Sequence, residues 1–318
     1  MGDRQERIPV PRVLAVGDVN IDLVFTGLPH LPLAEQDTLA QAFEALVGGQ
    51  TGTLARAVAR LGLQVTFVGR VGNDAYGRLA ADELARAGVD TAGLVVDAVL
   101  PTGVTVVLSA GRQRAYATCL GALAALQPSD VAPWLLSRAD HMHLGSFYLQ
   151  RALRPHLLKL FQAAKARGLS TSLDPGWDVF EEWAEDILEL LRYVDVFLPN
   201  EAEALRITGE ATPERALAAL AAHAAMVVIK QGERGCLAGH AIHTYQCPAF
   251  QVPVLDVTSA GDVFNAGFLY AFLERWPLPQ ALRFANAGAA LSVSRPGSAG
   301  MMSSLAEVHA FLAAHPDG

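Results

Sequence analysis

Short apolar runs alternate with longer helical patterns along most of the chain. Buried strands are predicted at 13–17, 65–71, 139–144, 170–173, 194–198, 226–230 and 250–255. Helices are predicted at 51–61, 76–87, 133–138, 154–167, 177–191, 214–223, 260–274, 280–294 and 305–313. Strands that alternate with helices indicate a parallel sheet covered on both faces. The expected fold is therefore α/β and doubly wound, with a mostly parallel sheet flanked by helices.

A second, smaller sheet is predicted where strands follow one another without helices between them. Its strands are expected at 22–26, 38–46, 104–109 and 114–118, the last two as a hairpin. We expect a single domain over 1–318. A small β-sheet lid, formed by about 20–46 and 92–120, is inserted in its α/β core.

The composition limits the classes of function. Of 318 residues, 52% are hydrophobic, which is enough to bury the core of a large α/β domain. The 24 basic and 32 acidic residues give a net charge of −8, which argues against nucleic-acid or membrane-surface partners. The three cysteines form no Cys-x-x-Cys pair, and the N-terminal segment differs from a signal peptide. We therefore expect a cytoplasmic protein without a membrane span.

The most informative segment is DVTSAGD at 256–262, which leads from a predicted strand into an apolar predicted helix. Ala260, Gly261 and Asp262 would stand at the helix N-terminus, where unpaired N–H groups and the helix dipole attract an anion such as phosphate. A carboxylate is unexpected in such a place. Asp262 is either a helix cap, the more common role, or a base that takes a proton from a substrate hydroxyl.

Two polar motifs lie in the first fifth of the chain. Asn20 and Asp22 would point the same way in an extended segment and can bind neighbouring sugar hydroxyls, with an Asx turn as the alternative. The glycine-rich loop 48–52 lets backbone N–H groups approach a polar ligand. It matches neither a P-loop nor a dinucleotide-binding fingerprint. A turn capped by Thr53 is the alternative reading of this loop.

Two further motifs follow predicted strands in the second half. Glu203, three residues after Asn200, can hold Mg²⁺ through water, and helix capping by Asn200 is the alternative. The turn KQGERG at 230–235 carries two glycines that let the backbone lie against a nucleotide, with a plain β-turn as the alternative.

Together and in this order, the motifs resemble the ribokinase-like (PfkB) family of carbohydrate kinases over nearly the whole chain. The matching motifs are GDVNID at 17–22, the GG loop ending in ARLG at 48–62, GRVGNDAYG at 69–77, NxxE at 200–203, KxGxxG at 230–235 and DxTxAGD at 256–262. Each motif alone is weak, whereas the set with its spacing is highly specific.

The resemblance implies a ribokinase-like fold and transfer of the ATP γ-phosphate to a hydroxymethyl oxygen, with Asp262 as general base. The implied anion hole consists of the N–H groups of Ser259, Ala260, Gly261 and Asp262. The implied substrate contacts are Asn20, Asp22, Gly48, Gly49, Gln50 and Thr53. The implied nucleotide contacts are Asn200, Lys230, Gly232, Gly235 and Asn286.

The resemblance also implies ions and partners. Glu203 would place Mg²⁺, through water and with Asn200, while Asp256 and Thr258, with the segment 292–297, resemble a site for a monovalent cation such as K⁺. The partners would be ATP and a small sugar, and the lid would form a homodimer.

Two departures from the family pattern bear on the substrate. The GG loop usually ends in Asn, and Thr53 stands there in this chain, so the hydroxyl pattern recognised can differ. The segment LDPGWD at 173–178 lacks the Asn and Arg that fructokinase-like and ketodeoxygluconate-kinase-like members often show. The expected function is an ATP- and Mg²⁺-dependent sugar kinase. The alternatives are a nucleoside kinase of the same fold and a non-catalytic sugar- or nucleotide-sensing protein.

Overall fold

The structure is a computed structural model that describes residues 10–111, 113–183, 185–240, 242–295 and 303–316. Its strands are β1 (Arg12–Val16), β2 (Asn20–Thr26), β3 (Ala42–Gly48), β4 (Gln64–Gly72), β5 (Asp90–Asp97), β6 (Val104–Ala110), β7 (Gln113–Cys119), β8 (His141–Leu144), β9 (Ser170–Leu173), β10 (Val196–Phe197), β11 (Met226–Lys230), β12 (Cys236–His240) and β13 (His243–Cys247). Its α-helices are α1 (Gln50–Arg60), α2 (Ala75–Arg86), α3 (Pro133–Ser137), α4 (Leu157–Ala166), α5 (Asp186–Leu190), α6 (Glu201–Thr208), α7 (Pro213–Leu220), α8 (Ala260–Leu273), α9 (Leu278–Val293) and α10 (Leu305–Ala314). Within the described ranges, no helix combines the length and the apolar character needed to cross a membrane.

A large central sheet has the strand order β13-β12-β11-β10-β9-β8-β1-β4-β5. Neighbouring strands from β11 to β5 pair in parallel, and β12 and β13 extend this sheet as antiparallel strands. The predicted mostly parallel sheet is confirmed. The chain begins at β1 and builds outward first on one side and then on the other, as in doubly wound folds.

Helices cover both faces of the central sheet. Helices α1, α2, α8, α9 and α10 pack on one face, where Leu54, Phe268 and Phe284 are buried. Helices α3 to α7 pack on the other face around Phe161 and Leu217. Because the inner strands are covered on both sides, they carry apolar runs rather than alternating patterns. Short apolar runs in the sequence therefore located them correctly.

A separate small sheet has the order β3-β2-β6-β7. Strand β2 pairs antiparallel with β3 and parallel with β6, and β6 forms the predicted hairpin with β7. One boundary of the predicted lid is wrong, because residues 92–97 belong to β5, which pairs with β4 in the central sheet. Helix α2 makes the crossover between these two parallel strands, so the chain returns to the small sheet, after β2 and β3, only once β5 is complete.

The helix predicted over 177–191 is mostly a loop, and only α5 at its end is helical. The carboxylate of Asp178 accepts hydrogen bonds from the N–H groups of Phe180, Glu182 and Trp183. An aspartate that bonds neighbouring backbone groups competes with the helical ladder and favours a turn.

The strand predicted over 250–255 is also wrong, since residues 251–255 are irregular. Pro253 cannot donate to a strand ladder, and the N–H of Leu255 donates instead to the carbonyl of Val293 in α9 (2.8 Å). The sequence pattern also missed β12 and β13, which form a short antiparallel extension of the sheet.

The carboxyl ends of the parallel strands lie side by side along one edge of the central sheet. Asp18 follows β1, Ser146 follows β8, Asp174 follows β9, Asn200 follows β10, and Lys230 ends β11. Ligands of open α/β folds bind beyond this edge, so the polar residues found there are the candidates for function.

Phe268 is fully buried in α8, the helix that carries Asp262 in its first turn. We predict that Phe268→Ala lowers the free energy of unfolding by about 3–5 kcal/mol, because it removes an aromatic side chain and leaves a cavity. Urea unfolding measures the loss. Val99→Ala, at a side chain that is 88% exposed, is the control and should change stability by less than about 0.5 kcal/mol. Equal losses in both variants would contradict this description of the core.

Candidate active site

The loop before helix α8 presents backbone donors at the edge of the sheet. Ser259, the last residue before the helix, has a left-handed backbone (φ 61°). The N–H groups of Gly261 and Asp262 lie in the first helical turn, where they have no intrahelical acceptor. The N–H of Ala260 instead donates to the carbonyl of Val257 (3.3 Å) and closes a turn. The predicted set of four anion-binding N–H groups is therefore corrected, since Ala260 is already engaged.

Asp262 is the third residue of α8 rather than its N-cap, and charged side chains from several elements surround its carboxyl. Burial raises the pKa of Asp262 well above its usual range, and the carboxylate of Asp174 raises it further. Lys230 opposes the shift, and the carboxylates of Asp18 and Glu203 add to it. A carboxyl with a raised pKa is a better proton acceptor than an ordinary aspartate.

The side chain of Lys230 lies between the sheet edge and α8. Its Nζ donates to Oδ2 of Asp174 (2.6 Å) and to Oδ1 of Asn265 (3.3 Å). The amide of Asn265 also donates to the same oxygen of Asp174, so the three side chains form a closed triangle. Burial alone would lower the pKa of Lys230, but the charges of Asp174 and Glu203 outweigh it and the pKa is raised.

Asn200 and Glu203 form a reciprocal cap at the start of α6. Oδ1 of Asn200 accepts from the N–H of Glu203 (2.9 Å), and Oε2 of Glu203 accepts from the N–H of Asn200 (2.8 Å). Burial and the nearby charge of Asp174 raise the pKa of Glu203 to about 7. Asn200 therefore caps α6, as the alternative reading of this motif predicted. Because Oε2 of Glu203 is used in the cap, Oε1 is the oxygen that can face a hydrated cation.

Asn20 and Asp22 lie together at the start of β2. Nδ2 of Asn20 donates to Oδ1 of Asp22 and to Oγ1 of Thr105, both at 2.9 Å. Oδ1 of Asn20 is buried and has no partner among the described residues. Gly48 lies directly against this pair, since a Cβ there would stand 2.2 Å from Oδ2 of Asp22. Burial raises the pKa of Asp22 to about 6, although the hydrogen bond from Asn20 opposes the shift.

The side chain of Asp18 fixes the start of α1, although the sequence pattern did not mark Asp18 as a site residue. The carboxylate of Asp18 accepts from the N–H groups of Gln50 (3.0 Å) and Thr51 (3.1 Å). Oε1 of Gln50 in turn accepts from the N–H and the hydroxyl of Ser146. Gly49 has a positive φ of 85° and packs against the backbone of Asp18 and Val19, just before β2. Only glycine allows this conformation and this close approach.

Thr53 is the fourth residue of α1, and its side chain is 1% exposed. Its hydroxyl, like Oδ1 of Asn20, is buried without a partner in the part of the chain that the structure describes. The contact of Thr53 with a sugar stays a prediction.

The turn after β11 and helix α9 hold the predicted nucleotide contacts. Gly232 (φ 59°) and Gly235 (φ 88°) both have left-handed backbones, and the N–H of Gln231 donates to the carbonyl of Gly235 (2.8 Å). Nδ2 of Asn286 donates to the carbonyls of Pro248 (3.0 Å) and Cys247 (3.2 Å). Asn286 thus ties α9 to the end of β13, and its amide hydrogens are used within the protein.

The predicted monovalent-cation ligands lie in the segment 256–262 that leads into α8, named the anion loop below. Oδ1 of Asp256 accepts from the N–H (2.9 Å) and the hydroxyl (2.7 Å) of Thr258. The guanidinium of Arg114, from β7, contacts the same oxygen of Asp256 at 3.3 Å. The N–H of Asp256 donates to the carbonyl of Val293 (3.2 Å), so this loop meets the end of α9 as expected. Residues 296 and 297 of the predicted site lie outside the described residues.

Sequence reasoning missed three residues that the structure places at the site. Asp18 and Asp174 each follow a predicted buried strand directly, and that position was itself the available signal. Asn265 lies inside an apolar helix, three residues after Asp262, and no local pattern distinguished it.

Comparison with known proteins decides the family. The model of the pfkB family carbohydrate kinases matches residues 10–305. The chain belongs to this family of carbohydrate kinases. A ribokinase from Haemophilus influenzae is 28% identical over 309 residues, which cover 93% of this chain and 97% of that protein. Fructokinase-1 from Oryza sativa subsp. japonica is 30% identical over 304 residues, with 90% and 93% covered.

A solved structure agrees with this assignment of the kinase fold. The structure of Arabidopsis thaliana ribokinase complexed with ribose and ATP has a TM-score of 0.85 and 28% sequence identity, and the match covers 96% of this chain and 99% of that one. The expected ribokinase-like fold is confirmed. The named relatives include a ribokinase and a fructokinase at nearly equal identity, so identity does not select the sugar of this kinase.

The raised pKa of Asp22 makes the stability of this kinase depend on pH. An unfolded aspartate has a pKa of about 3.9, whereas that of folded Asp22 is about 6. Folding therefore favours the protonated form, and this contribution is present below about pH 4 and is lost as the pH rises through about 6. We predict that the wild-type protein loses about 2–3 kcal/mol of unfolding free energy relative to Asp22→Asn between about pH 4 and 7. Urea unfolding at a series of pH values checks this, and a difference that stays constant would contradict it.

Proposed function

We propose that this kinase transfers the γ-phosphoryl group of ATP to a hydroxymethyl group of a small sugar, with Asp262 as general base. The supporting observation is a carboxyl of raised pKa beside the unpaired N–H groups of Gly261 and Asp262 at the start of α8. The carboxyl accepts the proton of the attacking hydroxyl. The N–H groups and the helix dipole stabilise the negative charge of the phosphoryl group during transfer.

The sugar binds on the side of Asn20, Asp22 and Gly48. Buried polar atoms cost free energy unless they are paired, and Oδ1 of Asn20 lacks a partner among the described residues. A sugar hydroxyl supplies the missing donor. Gly48 leaves room for it, because any larger residue there would collide with the carboxylate of Asp22. Gly49 and Gln50 complete this side by placing the start of α1.

ATP binds on the side of β10 and β11, along Asn200, Lys230 and the glycine turn at 232–235. Among the described residues, no group of three or more His, Cys, Asp or Glu side chains is arranged so that it could hold a metal ion by itself. Mg²⁺ therefore fits as an ion that ATP carries and that Glu203 contacts through water, where it would neutralise phosphate charge. The proposal does not extend to K⁺ at Asp256, because the guanidinium of Arg114 already contacts that carboxylate.

The small sheet acts as a lid over the sugar in this proposal. Arg114 of β7 reaches across to the anion loop and donates to Asp256 (3.3 Å) and Thr258 (3.2 Å). These contacts join the lid to the loop that binds the phosphoryl group, so closure and catalysis are coupled. The exposed aromatic side chains of Phe43 and Tyr116, 54% and 64% exposed, suit a homodimer formed through this sheet.

A nucleoside substrate is the second candidate. A base pocket needs aromatic side chains near the lid, and the sequence offers Phe43, Tyr116 and Phe147. Phe147 is 1% exposed and belongs to the core, which leaves Phe43 and Tyr116 on the small sheet. A sensing protein without catalysis is less favoured, because sensing does not require the carboxyl at Asp262.

We predict that one compound of a substrate panel supports strong ADP release from ATP and Mg²⁺. The panel comprises ribose, fructose, ketodeoxygluconate, fructose phosphates, inositol, adenosine, cytidine and pseudouridine. With that compound, Asp262→Asn should lower kcat by about 10²–10⁴ because the proton acceptor is lost, while ATP affinity is retained. Asp82→Asn, at an exposed position of α2, is the matched control and should keep full activity. Near-normal turnover of Asp262→Asn would exclude the proposed base.

A further inference from the structure

A buried ion pair lies directly beneath the anion loop. Asp174 is fully buried and the Lys230 side chain is 11% exposed. Burying such a pair removes both charges from water, so it is seldom a net source of stability compared with apolar residues of similar size. The position of the Asp174–Lys230 pair is therefore better explained by the groups that it holds in place than by a contribution to stability.

The ammonium of Lys230 lies against the first turn of α8. A Cβ added at Gly261 would stand 3.8 Å from Nζ of Lys230, and Asn265 lies about one turn further along the same helix. The group is therefore adjacent to the N–H donors proposed to bind the phosphoryl group. It is also close enough to Asp262 for the two charges to influence one another.

Both carboxylate oxygens of Asp174 are hydrogen-bonded within the protein. Oδ2 of Asp174 accepts from Lys230 and from Asn265, and Oδ1 accepts from the N–H of Gly176 (3.0 Å). An ammonium has three hydrogens, and Asp174 and Asn265 account for two of them. Among the described residues, these two are the acceptors of the ammonium, so its third hydrogen can serve a ligand in the anion loop.

We propose that Lys230 contacts the phosphoryl group in transfer, and that Asp174 and Asn265 are positioning residues that hold its ammonium there. This inference rests on the proposed kinase reaction and narrows the role of Lys230 from general nucleotide binding to the γ-phosphoryl group. Charge spreads over the oxygens of that group in the transition state. A cation that is already fixed in place stabilises this charge without reorganisation. Asp174, directly after β9, supplies the fixing charge, and Asn265 supplies the contact from α8.

Binding measurements test the contact of Lys230 without any sugar. We compare Mg²⁺ complexes of a non-hydrolysable ATP analogue and of ADP by calorimetry, in the wild type and in Lys230→Met. The variant should bind the analogue about tenfold more weakly or worse, a loss of about 1.4 kcal/mol, and should bind ADP almost normally. Equal weakening for both nucleotides would overturn the proposal, since Lys230 would then act on the part of the nucleotide that they share.

Kinetics with the responding sugar test the positioning residues. Asp174→Asn and Asn265→Ala should lower kcat by about 10–10³ and leave the KM of the sugar within about threefold. The double variant Asp174→Asn/Lys230→Met should be no slower than Lys230→Met alone, because Asp174 acts through the lysine. It also removes both buried charges, so it is expected to fold even where Asp174→Asn alone, which leaves a buried lysine unpaired, does not.

The chain offers a matched control at the opposite end of the strands. Nζ of Lys165 contacts both carboxylate oxygens of Asp195 at 2.7 Å, just before β10 begins. Asp195→Asn breaks a Lys–Asp pair of the same chemistry and should lower stability without lowering kcat. A folded Asp174→Asn with wild-type kcat would make Asp174 a structural residue and would overturn its role. If no sugar is phosphorylated, the proposed function fails instead, and the nucleotide comparison still decides what Lys230 contacts.

Discussion

The crowding of like charges at one edge of the central sheet constrains the whole site. Carboxylates of Asp18, Asp174 and Glu203 lie near Asp262, and Lys230 is the cation among them. Such a group is costly unless its members are bonded. Asp18 is held by N–H groups at the start of α1, Glu203 by a backbone N–H of its own cap, and Asp174 by the lysine. Burial and the neighbouring carboxylates raise the pKa of Asp262, in the first turn of α8, and also that of Glu203. A raised pKa is the property that a base needs.

The parallel sheet makes this crowding possible. Strands β1, β9, β10 and β11 end side by side, so residues far apart in the chain meet at one edge. Asp174 and Lys230, for example, are 56 positions apart and 2.6 Å from one another. In the proposed reaction, the same arrangement separates the two binding sides, with the small sheet that follows β1 on one side and the glycine turn after β11 on the other. A phosphoryl group at α8 would lie between them.

Much of this site could be predicted from strand ends and glycine motifs. The position of Asp262 at a helix start, and those of Asn200 and Lys230 after strands, followed from local patterns. The partners of these residues did not, because hydrogen bonds such as that from Asn265 to Asp174 depend on how helix and sheet pack. The burial of Thr53 did not follow either, because a motif does not say which face of α1 is buried.

The errors in the predicted fold have local causes that the pattern of apolar and polar residues does not show. The Asp178 side chain replaces helical hydrogen bonds in the segment before α5, and Pro253 interrupts an apolar run that otherwise looks like a strand. The predicted lid includes residues 92–97 because the sequence pattern predicts no strand there. Only the pairing of β5 with β4 assigns them to the central sheet.

The most direct test of the account is to follow the phosphoryl group itself. ATP labelled with ³²P at the γ position is incubated with Mg²⁺, the protein and each candidate sugar or nucleoside, and the products are separated. If the site phosphorylates a sugar, label appears in one sugar, with one labelled product for each ADP formed. Label found only as inorganic phosphate, or in no product although ATP binds, would contradict the claim that this site phosphorylates a sugar.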